Sequence, residues 1–237
     1  MKIEIFEDSD SVARAGAATI AAEARDCAAS RDRFSFAVSG GHTPWVMLRA
    51  LAAEDVPWAA VHIFQVDERV APEGDPDRNL THLRESLLQH VPLRPDQIHA
   101  MPVELADLDS AAAKYALALQ EIAGAPPILD LVHLGLGPDG HTASLVPGDR
   151  VLQVMNAEVG VTGAYQGRRR MTLTYPALNR SRKILWIITG GDKVDAFGRL
   201  RRGDGSIPAG TVRRDGALVL VDRAAAGQAS VQSAGGS

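Results

Sequence analysis

Short apolar runs separated by helical patterns recur along this chain from end to end, and this alternation restricts its fold more than any other feature. Residues 2–6 (KIEIF), 33–38 (RFSFAV), 61–66 (VHIFQV), 128–134 (ILDLVHL), 168–174 (RRRMTLT), 183–189 (KILWIIT) and 217–222 (ALVLVD) read as strands, and 97–103 as a short one. Helical patterns fall between them. One covers Ser9 to Ala29 after an Asp/Ser cap, one starts at Pro44, one runs from Asn79 to about His90, and two more cover 109–123 and 192–201. Strands that are apolar throughout, alternating with helices, predict an α/β fold: a doubly wound, mostly parallel sheet with helices on both faces. In such folds ligands collect at the carboxyl ends of the strands. No linker divides the chain, so residues 1–223 read as one domain. Residues 224–237, small and polar, read as a disordered tail.

Bulk properties remove several classes of function. Of the 237 residues, 46% are apolar, enough for a sizeable core. The net charge of −4 argues against a nucleic-acid binder, which needs a basic surface. It leaves room for a small anionic substrate held by a local cluster of cations. No apolar run reaches the length of a membrane span, and the N-terminus MKIEIFEDSD has no apolar signal core. The single cysteine, Cys27, sits in an Ala-rich helical stretch and reads as a small buried hydrophobe. The chain is expected to be cytoplasmic and monomeric.

Four strand ends carry unusual chemistry. Ser39-Gly40-Gly41-His42-Thr43-Pro44 follows RFSFAV. Its glycines let the backbone approach a ligand, Thr43 suits a helix N-cap and Pro44 the first helical position, and a helix N-terminus attracts anions. Asp67-Glu68-Arg69 follows VHIFQV, as a solvated turn or as an arginine offered to phosphate. Gly135-Leu136-Gly137-Pro138-Asp139-Gly140-His141-Thr142 follows ILDLVHL. Its G-x-G-x-x-G spacing matches a dinucleotide fingerprint. Pro147, however, prevents the long helix that motif needs, and Glu158 does not end a strand. The better reading is a turn that presents Asp139 and His141 together, a carboxylate orienting an imidazole that moves protons. His62 and His133 lack such company and read as structural. Thr189-Gly190-Gly191-Asp192-Lys193 follows KILWII and sets Lys193 at a helix start. Arg170, at the start of RMTLT, either points into the cleft or is solvated with its neighbours. No His/Cys/Glu cluster has metal-ligand spacing, and no nucleophile sits on a G-x-S-x-G elbow. Neither metal nor cofactor is expected, and hydrolysis here would use water activated by His141.

SGGHTP, DERVAPEGDPDRN, LGLGPDGHTASLVPG, RMTLTYPALN and TGGDKVDAF occur in the order and spacing of the 6-phosphogluconolactonases. The resemblance runs from about residue 5 to residue 222. It implies hydrolysis of 6-phosphoglucono-δ-lactone in the pentose phosphate route, with a small phosphorylated lactone as the only partner. It also implies a phosphate site at Gly40, Gly41 and Thr43 helped by Arg69, Arg170 and Lys193, with Asp67 beside it. His141 matches the family's base and Asp139 its neighbour. Two positions depart from the pattern. His42 replaces the usual Ser, trading a hydroxyl for an imidazole that either donates to phosphate or crowds the loop. DPDRN replaces the usual Asp-Ser-Asn run and leaves the role of that loop open. The related glucosamine-6-phosphate deaminases would carry Asn-Glu-Pro after GHTA, where this chain has Ser144-Leu145-Val146-Pro147 and no acid. A non-catalytic sugar-phosphate sensor would need a DNA-binding module, and no segment is left over for one.

Overall fold

The computed structural model describes residues 1–228. Seven parallel strands form the central sheet: β1 (Lys2–Phe6), β2 (Phe34–Val38), β3 (Val61–Gln65), β5 (Ile98–His99), β6 (Leu131–Leu134), β9 (Lys183–Ile188) and β10 (Ala217–Asp222). Their spatial order is β1-β10-β9-β6-β2-β3-β5. The chain winds outward in one direction from β2 and in the other from β6, so the loops that leave these two neighbouring strands bound a crevice, the usual place for a ligand. The strand called over residues 97–103 shrinks to two residues. Met101 leaves the ladder because its amide donates to the Gln65 side chain (2.9 Å).

Side chains alternate along each strand and feed two separate cores. Leu185 and Ile187 of β9 face one side with Phe34, Phe36 and Ile63, under α1 (Ser9–Arg31), α2 (His42–Leu51) and α3 (Asn79–Ser86). Ile184, Trp186 and Ile188 face the other side, under α4 (Leu108–Ala123), α5 (Tyr175–Arg180) and α6 (Val194–Arg202). The Ala-rich stripe of α1 makes close helix packing possible. A Cβ at Gly16 would lie 2.8 Å from Met47 Sδ of α2. Cys27 is buried and unpaired, as its surroundings suggested.

Two segments depart from a single parallel sheet. Asp67–Arg69 is not a solvated turn but a strand, β4, and RMTL is not part of the central sheet. With β7 (Val159–Val161) and β8 (Arg170–Leu173) it forms a separate antiparallel sheet, in the order β4-β8-β7. The register sets Asp67 opposite Thr172 and Arg69 opposite Arg170. Polar β4 escaped recognition because pairing with the apolar β8, not its own periodicity, makes it a strand.

Smaller corrections concern element ends. Gly41 is the N-cap of α2 and His42 its first residue, so Thr43 and Pro44 lie two residues further in than expected. The helix after DPDRN stops at Ser86 and continues only as a 3₁₀ turn, Leu88–His90. Residues 224–228 are not tail-like: Ala225 is fully buried, and its amide and that of Ala226 bond back to Asp222. The remainder of the expected tail lies outside the described residues.

Candidate active site

The carboxyl ends of β2, β6 and β9 and the small sheet enclose a cleft of about 430 Å³. Nine of the ten residues singled out from sequence line it: Gly40, Gly41, His42, Thr43, Asp67, Arg69, His141, Arg170 and Lys193. The tenth, Asp139, touches it through His141.

The turn after β6 builds the acid–base pair. Asp139 Oδ1 accepts from the His141 amide (3.1 Å) and lies 2.6 Å from His141 Nδ1. A carboxylate accepting from Nδ1 assigns the proton to that nitrogen and leaves Nε2 as the basic one. Burial works to raise the Asp139 carboxyl. The amide and ring of His141 and the Tyr165 hydroxyl outweigh it and hold the group below the ordinary carboxylate range. Gly137 is obligatory here, because a Cβ would sit 2.1 Å from His141 Nδ1 and 2.7 Å from Asp139 Oδ1. Beneath the turn, His133 is wholly buried and its Nδ1 accepts from the Ser39 amide (3.2 Å), so it ties β6 to the glycine loop as a structural residue.

The opposite wall is cationic. Arg69 and Arg170 are direct cross-strand neighbours on β4 and β8. Like charges so placed repel. Burial and then the charge of Arg69 lower the Arg170 guanidinium from the ordinary arginine value. Both Nε atoms are buried without a hydrogen-bond partner among the described residues. Lys193 caps α6 at the rim, its Nζ 2.8 Å from Asp192. His42 is exposed at the start of α2 and leaves the loop uncrowded. Thr43 shares a 2.7 Å hydroxyl contact with Thr189, which ties the first and fourth strand ends together.

Sequence reasoning missed the group that organises this wall. Glu68 is fully buried. Its Oε1 accepts from the amides of Arg69 (2.7 Å) and Asn79 (2.8 Å), and its Oε2 from Leu80 (2.8 Å) and the Gln65 side chain (2.8 Å). Glu68 therefore caps the N-terminus of α3 from another element, where a carboxylate is favoured. Arg78, also buried, stands 3.2 Å from Glu68 Oε2, bonds the Ala71 carbonyl and pairs with Glu104. Asn79 then reaches the cleft: its Nδ2 donates to the Asp67 carbonyl (2.9 Å), and a Cβ on Gly40 would collide with its Oδ1. Asp67 accepts from Ser144 Oγ (2.6 Å), so it braces the cleft floor. DPDRN thus has its role: it closes the loop after β4 onto a buried ion pair. Among the described residues no group of three His, Cys, Asp or Glu is placed to hold a metal.

A doubly wound sheet whose strand ends carry an imidazole–carboxylate pair facing paired arginines defines an α/β protein with a cleft suited to acid–base chemistry on a small anionic ligand. Residues 7–220 match the family described as glucosamine-6-phosphate isomerases/6-phosphogluconolactonase. This chain belongs to that family. The 6-phosphogluconolactonase of Mycobacterium tuberculosis is 37% identical over 238 residues, 94% of this chain and 96% of that protein. That of Streptomyces coelicolor is 35% identical over 248 residues, 96% of this chain and 94% of that protein. The solved 6-phosphogluconolactonase of Thermotoga maritima matches with a TM-score of 0.83 and 27% identity, over 93% of this chain and 98% of that one. A monomeric glucosamine-6-phosphate deaminase reaches a TM-score of 0.84 at 18% identity, over 97% of this chain and all of that one. Architecture alone therefore does not separate the two chemistries.

Proposed function

We propose that this chain hydrolyses 6-phosphoglucono-δ-lactone to 6-phosphogluconate, a carboxylic ester hydrolysis of the pentose phosphate pathway. One observation carries this reading: a carboxylate-oriented imidazole and two unneutralised cross-strand arginines line the same cleft. The arginines suit a dianionic phosphate, whose charge would relieve their repulsion. The 6-phosphogluconolactonases of Mycobacterium tuberculosis and Streptomyces coelicolor, 37% and 35% identical to this chain, support the substrate. Against the deaminase reading, the segment that would supply a ring-opening acid is Ser144-Leu145-Val146, all buried, with Ser144 committed to Asp67.

Water held against His141 Nε2 gives up a proton as its oxygen adds to the lactone carbonyl carbon. The tetrahedral intermediate collapses with cleavage of the bond to the ring oxygen, and the imidazolium returns its proton there. Asp139 keeps the ring oriented and stabilises the cation. The finer setting is also a proposal: a cytoplasmic monomer.

His141→Ala and His141→Gln test the mechanism. After subtraction of spontaneous hydrolysis, kcat should fall by about 10²–10⁴-fold with little change in KM. A folded His141→Ala protein with a near wild-type rate would remove the base assignment. Gluconolactone without phosphate should be a far poorer substrate by kcat/KM. Equal efficiency on both lactones would remove the phosphate site.

A further inference from the structure

The loop between β7 and β8 has no role in the hydrolysis as described, yet it touches both the acid–base turn and the cationic wall of the cleft. It narrows to a two-residue turn. The Tyr165 amide donates to the Arg168 carbonyl (2.9 Å) and the Arg168 amide returns to Tyr165 (3.3 Å). Gln166 and Gly167 between them take φ of 52° and 79°. Paired positive φ is the geometry of the tightest hairpins, and it fixes where the flanking side chains point.

Three side chains of this tip each grip a different wall. Tyr165 Oη donates to Asp139 Oδ2 (3.2 Å), and its ring meets His141 edge-on at 5.6 Å. The Arg170 guanidinium lies over the tyrosine ring, 4.9 Å from its centroid, and Arg170 Nη2 donates to Gln166 Oε1 (3.0 Å). Arg168 reaches away to Asp77 Oδ2 (2.7 Å) and Asp75 Oδ2 (3.1 Å) in the loop after β4. Arg69 Nη1 donates to the Asp77 carbonyl of that loop (2.6 Å).

We infer that Tyr165 is a positioning residue for the hydrolysis, acting through Asp139. This rests on the reading of Asp139 and His141 as the acid–base pair. The division of the carboxylate is the argument. Its Oδ1 serves His141 and its Oδ2 serves Tyr165. A carboxylate held by one oxygen can turn about its Cβ–Cγ bond and carry the imidazole with it. A second donor on the other oxygen fixes the plane, and with it the direction of His141 Nε2. Asp139 is exposed, so besides the His141 amide bond to Oδ1 these two contacts are the hydrogen bonds that hold its carboxylate. Because the same ring packs against Arg170, Tyr165 also sets the spacing between the base and the cationic wall. Productive geometry tolerates little error, and misplacement of a reacting group is costly in rate.

A double-mutant cycle tests this. Tyr165→Phe keeps the ring and its packing and removes only the hydroxyl. It should lower kcat by about three- to ten-fold, the value of one net hydrogen bond, with KM for the phosphorylated lactone and the thermal midpoint unchanged. In an Asp139→Ala background the same substitution should change kcat less than about two-fold, because the group it acts through is gone. Wild-type kcat in Tyr165→Phe, a change confined to KM, or additive losses in the double variant would each overturn the assignment. A His141→Ala enzyme that stays active would instead overturn the acid–base pair itself, so the two failures are distinguishable.

Discussion

Arg69 and Arg170 stand opposite each other at one register position of an antiparallel pair, an arrangement that costs free energy in the unliganded protein. Its natural complement is an anion, and this dictates how substitutions should behave. Arg69→Ala removes a charge-assisted contact of about 1.5–3 kcal/mol, so KM for the phosphorylated lactone should rise roughly ten- to a hundred-fold. Arg170→Met should raise KM likewise while the unliganded protein keeps or gains thermal stability, since a buried, repelled cation has been removed. Steady-state kinetics and thermal unfolding of the same preparations check both halves. Unchanged KM in both variants would make these residues bystanders. Asp139 and His141 were legible in the sequence because they are two residues apart and their contact is local. Tyr165 was not, because its partner Asp139 lies 26 residues away and no local pattern records the hairpin that brings them together.

The inner strands of the central sheet, β2, β3, β6, β9 and β10, were readable because each is a mostly apolar, nearly fully buried run, the signature of a strand covered on both faces, whereas the edge strand β1 showed itself by alternation instead. The short polar strand β4 and the buried ion pair behind it were not. Glu68 and Arg78 look like surface charges in a loop of Asp, Glu, Pro and Gly, and only the fold reveals that both are enclosed. Their energetics follow from that enclosure. Arg78→Met should destabilise the protein by about 3–5 kcal/mol, because Glu68 would be left as a buried charge without its counter-ion. Denaturant unfolding should show a lower midpoint at an unchanged slope. An Arg78→Met protein as stable as wild type would mean that the four hydrogen bonds to Glu68 suffice to hold its charge.

Buried histidines give the whole molecule a pH dependence separate from that of its chemistry. Burial lowers His133 from 6.5 to about 3, and burial together with the charge of neighbouring His62 lowers His99 to about 4. Both imidazoles stay neutral in the folded chain below the pH at which the unfolded chain takes up protons. Their contribution to stability is therefore full above about pH 6.5 and shrinks as pH falls toward those folded values. The loss is at most about 1.4 kcal/mol per histidine for each unit traversed. The thermal midpoint should fall between pH 6.5 and 4, and His133→Asn, which keeps an acceptor for the Ser39 amide, should flatten that slope. An identical slope in the variant would exclude His133 as its source.

The sheet order also governs when the molecule can be completed. β10 is wedged between β1 and β9, so Lys2 finds its partner in Leu218 and, among the described residues, β1 pairs with no other strand. A chain that is still folding can assemble β2, β3, β6 and β9 with their helices while β1 waits, unpaired, for β10. Two strands more than 200 residues apart in sequence are thus joined in a single ladder. Pairing across such a span is slow because loop closure precedes any reward. Until β10 slots in, the edge of β9 stays open to strands from other incompletely folded chains, and an open edge is what invites aggregation.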